Sequence, residues 1–296
     1  MDANGIENPP RSGEGDRPQD GGGGAAFGTE PPPPLADASS PPPRPGEAPV
    51  LFDYLLRLGD DSLILGQRLG EWCGHAPSVE VDLSLANMGL DLIGQATLFL
   101  NAAGAAEGQG RDGDRLAFHR DVLDFRNCWL VEQPNGDFAQ TMARQFLFST
   151  WQELLFRNLE GSADATIAAV AAKAVKEVRY HAELSAEWVI RLGDGTDESR
   201  RRMVDGLDWN WRFVPELFEM DDLAAEAVAR GIAVDPTVFR ADYDRRIGNV
   251  LAEATLEAPK DQRPIVGGRR GHHSEHLGHI LAPMQYLPRT YPDAVW

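Results

Sequence analysis

Residues 82–102, DLSLANMGLDLIGQATLFLNA, carry apolar side chains around most of a helical circumference. A helix of that kind is expected to lie inside a bundle, because most of its circumference is unsuited to water. Companions are at hand, since the flanking segments repeat apolar residues at steps of three and four and none reads clearly as a strand. Leu51, Leu55, Leu58, Leu65, Leu69 and Trp72 form one stripe, predicting a first helix that ends near Gly74 and the turn His75-Ala76-Pro77.

A short connector helix is expected over residues 111–126, then a loop over 132–137 with Asn-Gly turn chemistry. A third long helix is predicted over 138–159, and a fourth, alanine-rich, over 163–192, stopped by Gly193-Asp194-Gly195. Helices of these lengths measure about 30–45 Å, the size of a ferritin-like bundle. Further helices over 198–218, 221–230, 236–257 and 272–286 should pack around it. The expected fold is all-α: a ferritin-like four-helix bundle with additional C-terminal helices, one domain over residues 50–296. Residues 1–49 hold twelve of the 21 prolines and runs of four glycines and four prolines. They are expected to be disordered, because such a segment cannot bury enough apolar surface to offset its ordering entropy.

A net charge of −18 argues against nucleic acid and anionic membrane as partners, since phosphate binding needs clustered Lys and Arg. The two cysteines, Cys73 and Cys128, supply neither a disulfide framework nor a four-thiolate metal site. No basic and apolar leader is evident at the N-terminus, so a cytoplasmic location is expected. There is no dinucleotide fingerprint, phosphate loop or nucleophile elbow to support hydride transfer, phosphoryl transfer or serine hydrolysis.

Polar residues interrupt the apolar helices at regular positions. Ser84, Asn87, Asp91 and Gln95 share a face of the second helix, and Lys173, Glu177 and His181 stand four apart on the fourth. Asp61 can share the first helix's inward stripe, and the third helix offers Gln145, Ser149, Gln152 and Glu153. A dinuclear iron bundle uses about four carboxylates and two imidazoles, with Glu-x-x-His turns on two helices. Here no Asp or Glu stands three positions before a His. The expected role of this constellation is therefore a degenerate metal site: a hydrogen-bonded, ion-paired core network with no metal and no catalytic residue. Lys173 is expected to neutralise buried carboxylates, and Lys173→Met to cost about 3 kcal/mol. His272, His273, Glu275, His276 and His279 fail the zincin pattern, because His273 occupies the general-base position. Arg269 and Arg270 lie on a glycine-flanked basic turn expected to be a solvated loop, with contact to a CoA phosphate or an acidic partner as the alternative.

The stretches RLGDDSLILGQRLGEWCGHAP, VDLSLANMGLDLIGQA, VEQPNGDFAQTMARQF, KAVKEVRYHAELSAEWVIRLGDGTD and EHLGHILAPMQYL resemble the C-subunit family of ring-1,2-phenylacetyl-CoA epoxidases, from about Leu51 to the C-terminus. The resemblance implies a non-catalytic structural subunit that pairs tightly with a homologous A subunit holding the two irons. It further implies a B subunit and a reductase subunit with FAD and an iron-sulfur cluster, drawing electrons from NADPH. The complex would epoxidise the ring of phenylacetyl-CoA in aerobic phenylacetate degradation. The alternative is an autonomous di-iron oxidase with an unusual ligand set.

Overall fold

The computed structural model describes residues 48–260, 262–292 and 294. What was expected of residues 1–49 lies outside the described residues, except that Ala48 and Pro49 open the first helix. The described residues form ten α-helices and no strand: α1 (Ala48–Gly70), α2 (Val79–Glu107), α3 (Gly113–Phe118), α4 (Trp129–Glu132), α5 (Phe138–Leu159), α6 (Ala165–Gly193), α7 (Asp197–Trp211), α8 (Asp222–Ala229), α9 (Arg240–Glu253) and α10 (Glu275–Thr290). The all-α, ferritin-like bundle expected from the spacing is thus the architecture present. Its four long helices, α1, α2, α5 and α6, have 23, 29, 22 and 29 residues. α1 packs along α2, α5 along α6, and α2 meets α6, while α7 and α9 lie on α5 and α8 on α1.

Side-chain caps set where the long helices start. Ser78, Asp137 and Asp164 each accept a hydrogen bond from the backbone N–H three residues on, satisfying donors that the first turn leaves unpaired. Gly108, at φ +69°, closes α2 by returning its N–H to the Gly104 carbonyl. Two segments expected as single helices each divide into an α-helix and a 3₁₀ turn that holds a proline. Pro215 lies in the 3₁₀ turn that follows α7, and Pro236 opens another 3₁₀ turn ahead of α9. The expected connector shortens to α3 and one 3₁₀ turn, and a single helical turn, α4, precedes the Asn135-Gly136 loop.

The placement of α2 corrects the expectation from sequence. Its inner side, with Leu85, Met88, Leu92 and Phe99, is fully buried, but Val79, Leu83 and Leu90 on the other side are 72%, 61% and 69% exposed. By length and composition α2 could cross a bilayer, yet that inner side belongs to the bundle core. The helices buried nearly all round are α1 and α5, which carry more polar residues. They can be central because their charged groups find partners. Arg57 forms a two-pronged pair with Asp221 at 2.6 and 3.0 Å. Arg144, fully buried, donates to the Gln133 carbonyl at 2.6 Å and to Asn135 Oδ1 at 2.7 Å, fixing the loop before α5. Burial, with Arg68 nearby, pulls the Arg144 pKa down to about 9.

Candidate functional site

One polar side chain from each long helix meets at the middle of the bundle. Gln152 of α5 reaches Ser62 Oγ of α1 at 3.5 Å and Gln95 Oε1 of α2 at 3.4 Å, and Gln95 Nε2 donates to Glu177 Oε2 of α6 at 3.0 Å. Ser62 donates its own hydroxyl hydrogen bond to the Leu58 carbonyl at 3.1 Å. One turn along, His181 Nε2 lies 3.0 Å from Asp91 Oδ2, and its buried Nδ1 has no protein partner. Four of the expected residues therefore come together: Asp91, Gln95, Glu177 and His181.

The other four do not join them. Asp61 is buried, but in a separate network with Arg269. Ser84 is half-buried and bonds its own helix at the Glu80 carbonyl, and Asn87 is exposed on the outer side of α2. Lys173 is also exposed, with no ion pair to any described residue, which overturns its expected role. It stands four before Glu177, but the adjoining Ala174 takes the inward position. Lys173→Met is accordingly expected to move the unfolding free energy by less than about 0.5 kcal/mol in urea titration. Ser62 was missed, although it stands four after Leu58 and three before Leu65 and so meets the arithmetic that selected Asp61.

This donor set does not fit two irons. A neutral hydroxyl and two neutral amides occupy the centre, leaving Glu177 and Asp91 as carboxylates with His181 as imidazole, and half-exposed Asp91 is already bound to His181. Among the described residues no group of three or more His, Cys, Asp or Glu side chains is placed to hold a metal. Amides can both donate and accept, so they close a hydrogen-bond chain across the interior without positive charge at its centre.

Buried charge is concentrated at a second network, where four carboxylates bind two loops. Asp60 pairs with Arg120 and accepts the Arg126 N–H at 2.8 Å, while Asp61 pairs with Arg269 at 2.6 Å and accepts the Cys128 N–H at 2.8 Å. Glu216 accepts from the Trp129 and Gly267 amides at 2.7 and 2.8 Å. Glu132 accepts from Asn127 Nδ2, His273 Nδ1 and the Ser274 amide at 2.9, 2.8 and 2.6 Å. Arg269 is thus buried and committed, not a CoA contact, and exposed Arg270 pairs with Glu219 at 2.7 Å. Burial lifts the Cys128 thiol well above its usual pKa, with Asp61 adding to the effect, so this cysteine is an inert core residue.

His273 leaves the expected histidine cluster for this network. Its Nδ1 faces Glu132 and its Nε2 the Phe125 carbonyl at 3.0 Å, and only the imidazolium can donate to both. Burial alone would lower its pKa, but Glu132 and the Phe125 carbonyl outweigh that and hold it above the ordinary 6.5. By linkage, the stability this pairing contributes is fully present below about pH 6.5 and is lost as pH rises through the higher folded-state value. Thermal unfolding between pH 6 and 9 should therefore show a loss of stability that His273→Gln flattens; an identical pH profile in the variant would contradict the pairing.

The family described as "Phenylacetic acid catabolic protein" matches residues 41–296. The chain is also 51% identical over 243 residues to an Escherichia coli (strain K12) protein named as the C subunit of 1,2-phenylacetyl-CoA epoxidase, an alignment covering 82% of this chain and 98% of that one. With the helical bundle and these matches in hand, the chain belongs to the phenylacetic acid catabolic protein family.

Proposed function

We propose that this chain is the supporting C subunit of a phenylacetyl-CoA epoxidase, a non-catalytic bundle that stabilises an iron-bearing A subunit. The observation that carries this reading is the interior chain Ser62–Gln152–Gln95–Glu177, in which a hydroxyl and two amides stand where a dinuclear centre needs carboxylates and only Glu177 supplies one. The uncovered row Val79, Leu83 and Leu90 on α2 supports it, being the kind of apolar surface a subunit exposes when taken alone. In this reading two irons reside in the A subunit, a B subunit joins the assembly, and a reductase with FAD and an iron-sulfur cluster delivers electrons from NADPH. All of these are placed in the cytoplasm, with no nucleic acid or membrane partner.

The test is to purify the chain alone and together with its genomic neighbours. Alone, after anaerobic incubation with ferrous iron and desalting, it should retain almost no iron and turn over no phenylacetyl-CoA; together, it should co-purify with the iron-bearing subunit. About two tightly held irons in the isolated chain, with turnover, would replace this reading by an autonomous oxidase.

A further inference from the structure

One residue beyond Gln152 on α5, and so about a quarter-turn around the helix from the amide chain, the carboxylate of Glu153, 4% exposed, is reached by guanidiniums from three helices. Arg157 of α5 approaches with Nε at 3.1 Å, Arg179 of α6 with Nε at 3.5 Å, and Arg246 of α9 with Nη1 at 2.9 Å. One carboxylate cannot neutralise three cations. Asp242 takes the Nε of Arg246 at 3.2 Å, while Arg157 and Arg179 come nearest to Glu153 through Nε. Their terminal Nη forks have no acceptor among the described residues.

These three arginines, of which Arg157 and Arg179 are nearly half exposed, line one open surface cavity of about 430 Å³, whose apolar floor includes Phe146, Ala186 and Val250. That volume falls within the range of small-molecule sites, which pair an apolar lining with a few convergent polar groups. Guanidinium forks match phosphate oxygens two at a time, and here two free forks stand over an apolar floor on a chain of net charge −18. We infer that the α5–α6–α9 cavity binds a phosphorylated small molecule, its phosphates against Arg157 and Arg179 and its apolar body on the Phe146–Val250 floor. Arg246 acts differently, keeping Glu153 compensated and so holding the floor in shape. Glu183, also lining the cavity, opposes an anion and moderates the affinity.

Calorimetric titration of the full chain with pyrophosphate and with ADP tests this directly. ADP should bind more tightly than pyrophosphate, because only ADP covers the floor. Arg157→Gln/Arg179→Gln, which leaves the Arg246–Glu153 pair intact, should weaken both by at least about tenfold, the loss of roughly 1.4 kcal/mol of charge-assisted hydrogen bonding, with an unchanged unfolding midpoint. Glu183→Gln should tighten both, and Ala186→Phe, which fills the floor, should weaken ADP while sparing pyrophosphate. No binding of either probe at millimolar concentration, or equal binding by the double-arginine variant, would overturn the site. Equal affinity for the two probes would overturn the role of the floor.

Discussion

Replacing Arg269 by Met is expected to lower the unfolding free energy by about 3–5 kcal/mol, because Asp61 would keep a buried charge with no partner. The pair is nearly dry, with side chains 10% and 3% exposed. Burial by itself would lower the Arg269 pKa, but Asp61, with Cys128 and Glu216 close by, more than reverses that, so the guanidinium stays charged. Arg269 also donates to the Arg57 and Arg126 carbonyls at 3.3 and 3.2 Å, which links the C-terminal loop to α1 and to the loop before α4. Urea unfolding measures the loss. The double variant Arg269→Met/Asp61→Asn should recover much of it, since the amide still accepts the Cys128 N–H and no charge remains unpaired. A cycle with no coupling between the two positions would refute the pairing.

Glu132→Ala should cost about 3 kcal/mol by a different route. The loss comes from stranded donors rather than from one broken charge pair: Asn127 Nδ2, the His273 imidazole and the Ser274 amide are left without their acceptor. Each unsatisfied buried donor costs ~1–3 kcal/mol, and the low end of three such losses sets the expected value. Hydrogen exchange separates this effect from a general loss of stability. The Ser274 amide, held by the Glu132 carboxylate at 2.6 Å, should lose protection beyond the global change, whereas amides in the middle of α5 should follow the global change only. Uniform loss at both places would mean that the 272–274 segment is held by something other than Glu132.

The interior of the bundle was half legible in the residues. Asp91, Gln95, Glu177 and His181 were found because helical spacing reports which side chains share a face, and that holds for any helix. Lys173 and Asn87 were misplaced for the same reason: each lies on the edge of such a face, and spacing along one helix does not say how far the neighbouring helix covers that edge. Asp61 was rightly expected to be buried and wrongly assigned its company. Its partner stands 208 residues away in the chain, on a loop, where no periodicity operates. Arg269 was read as a solvated turn residue on local composition, and only the fold brings it beneath the loop that carries Cys128.

The amino-acid sequence by itself determined that this chain makes long helices, where the caps and breakers end them, and that its spacing lacks the carboxylate-x-x-histidine turns of a dinuclear centre. These are properties of one segment at a time, set by 3.6-residue periodicity, capping side chains and proline geometry. The tertiary structure alone decided which helices are central. Apolar α2 buries only its inner side and leaves Val79, Leu83 and Leu90 uncovered, while the more polar α1 and α5 are buried nearly all round. The physical reason is that burial of a polar helix depends on whether distant segments supply a partner for every charge, as Arg120, Arg269 and Asp221 do for α1.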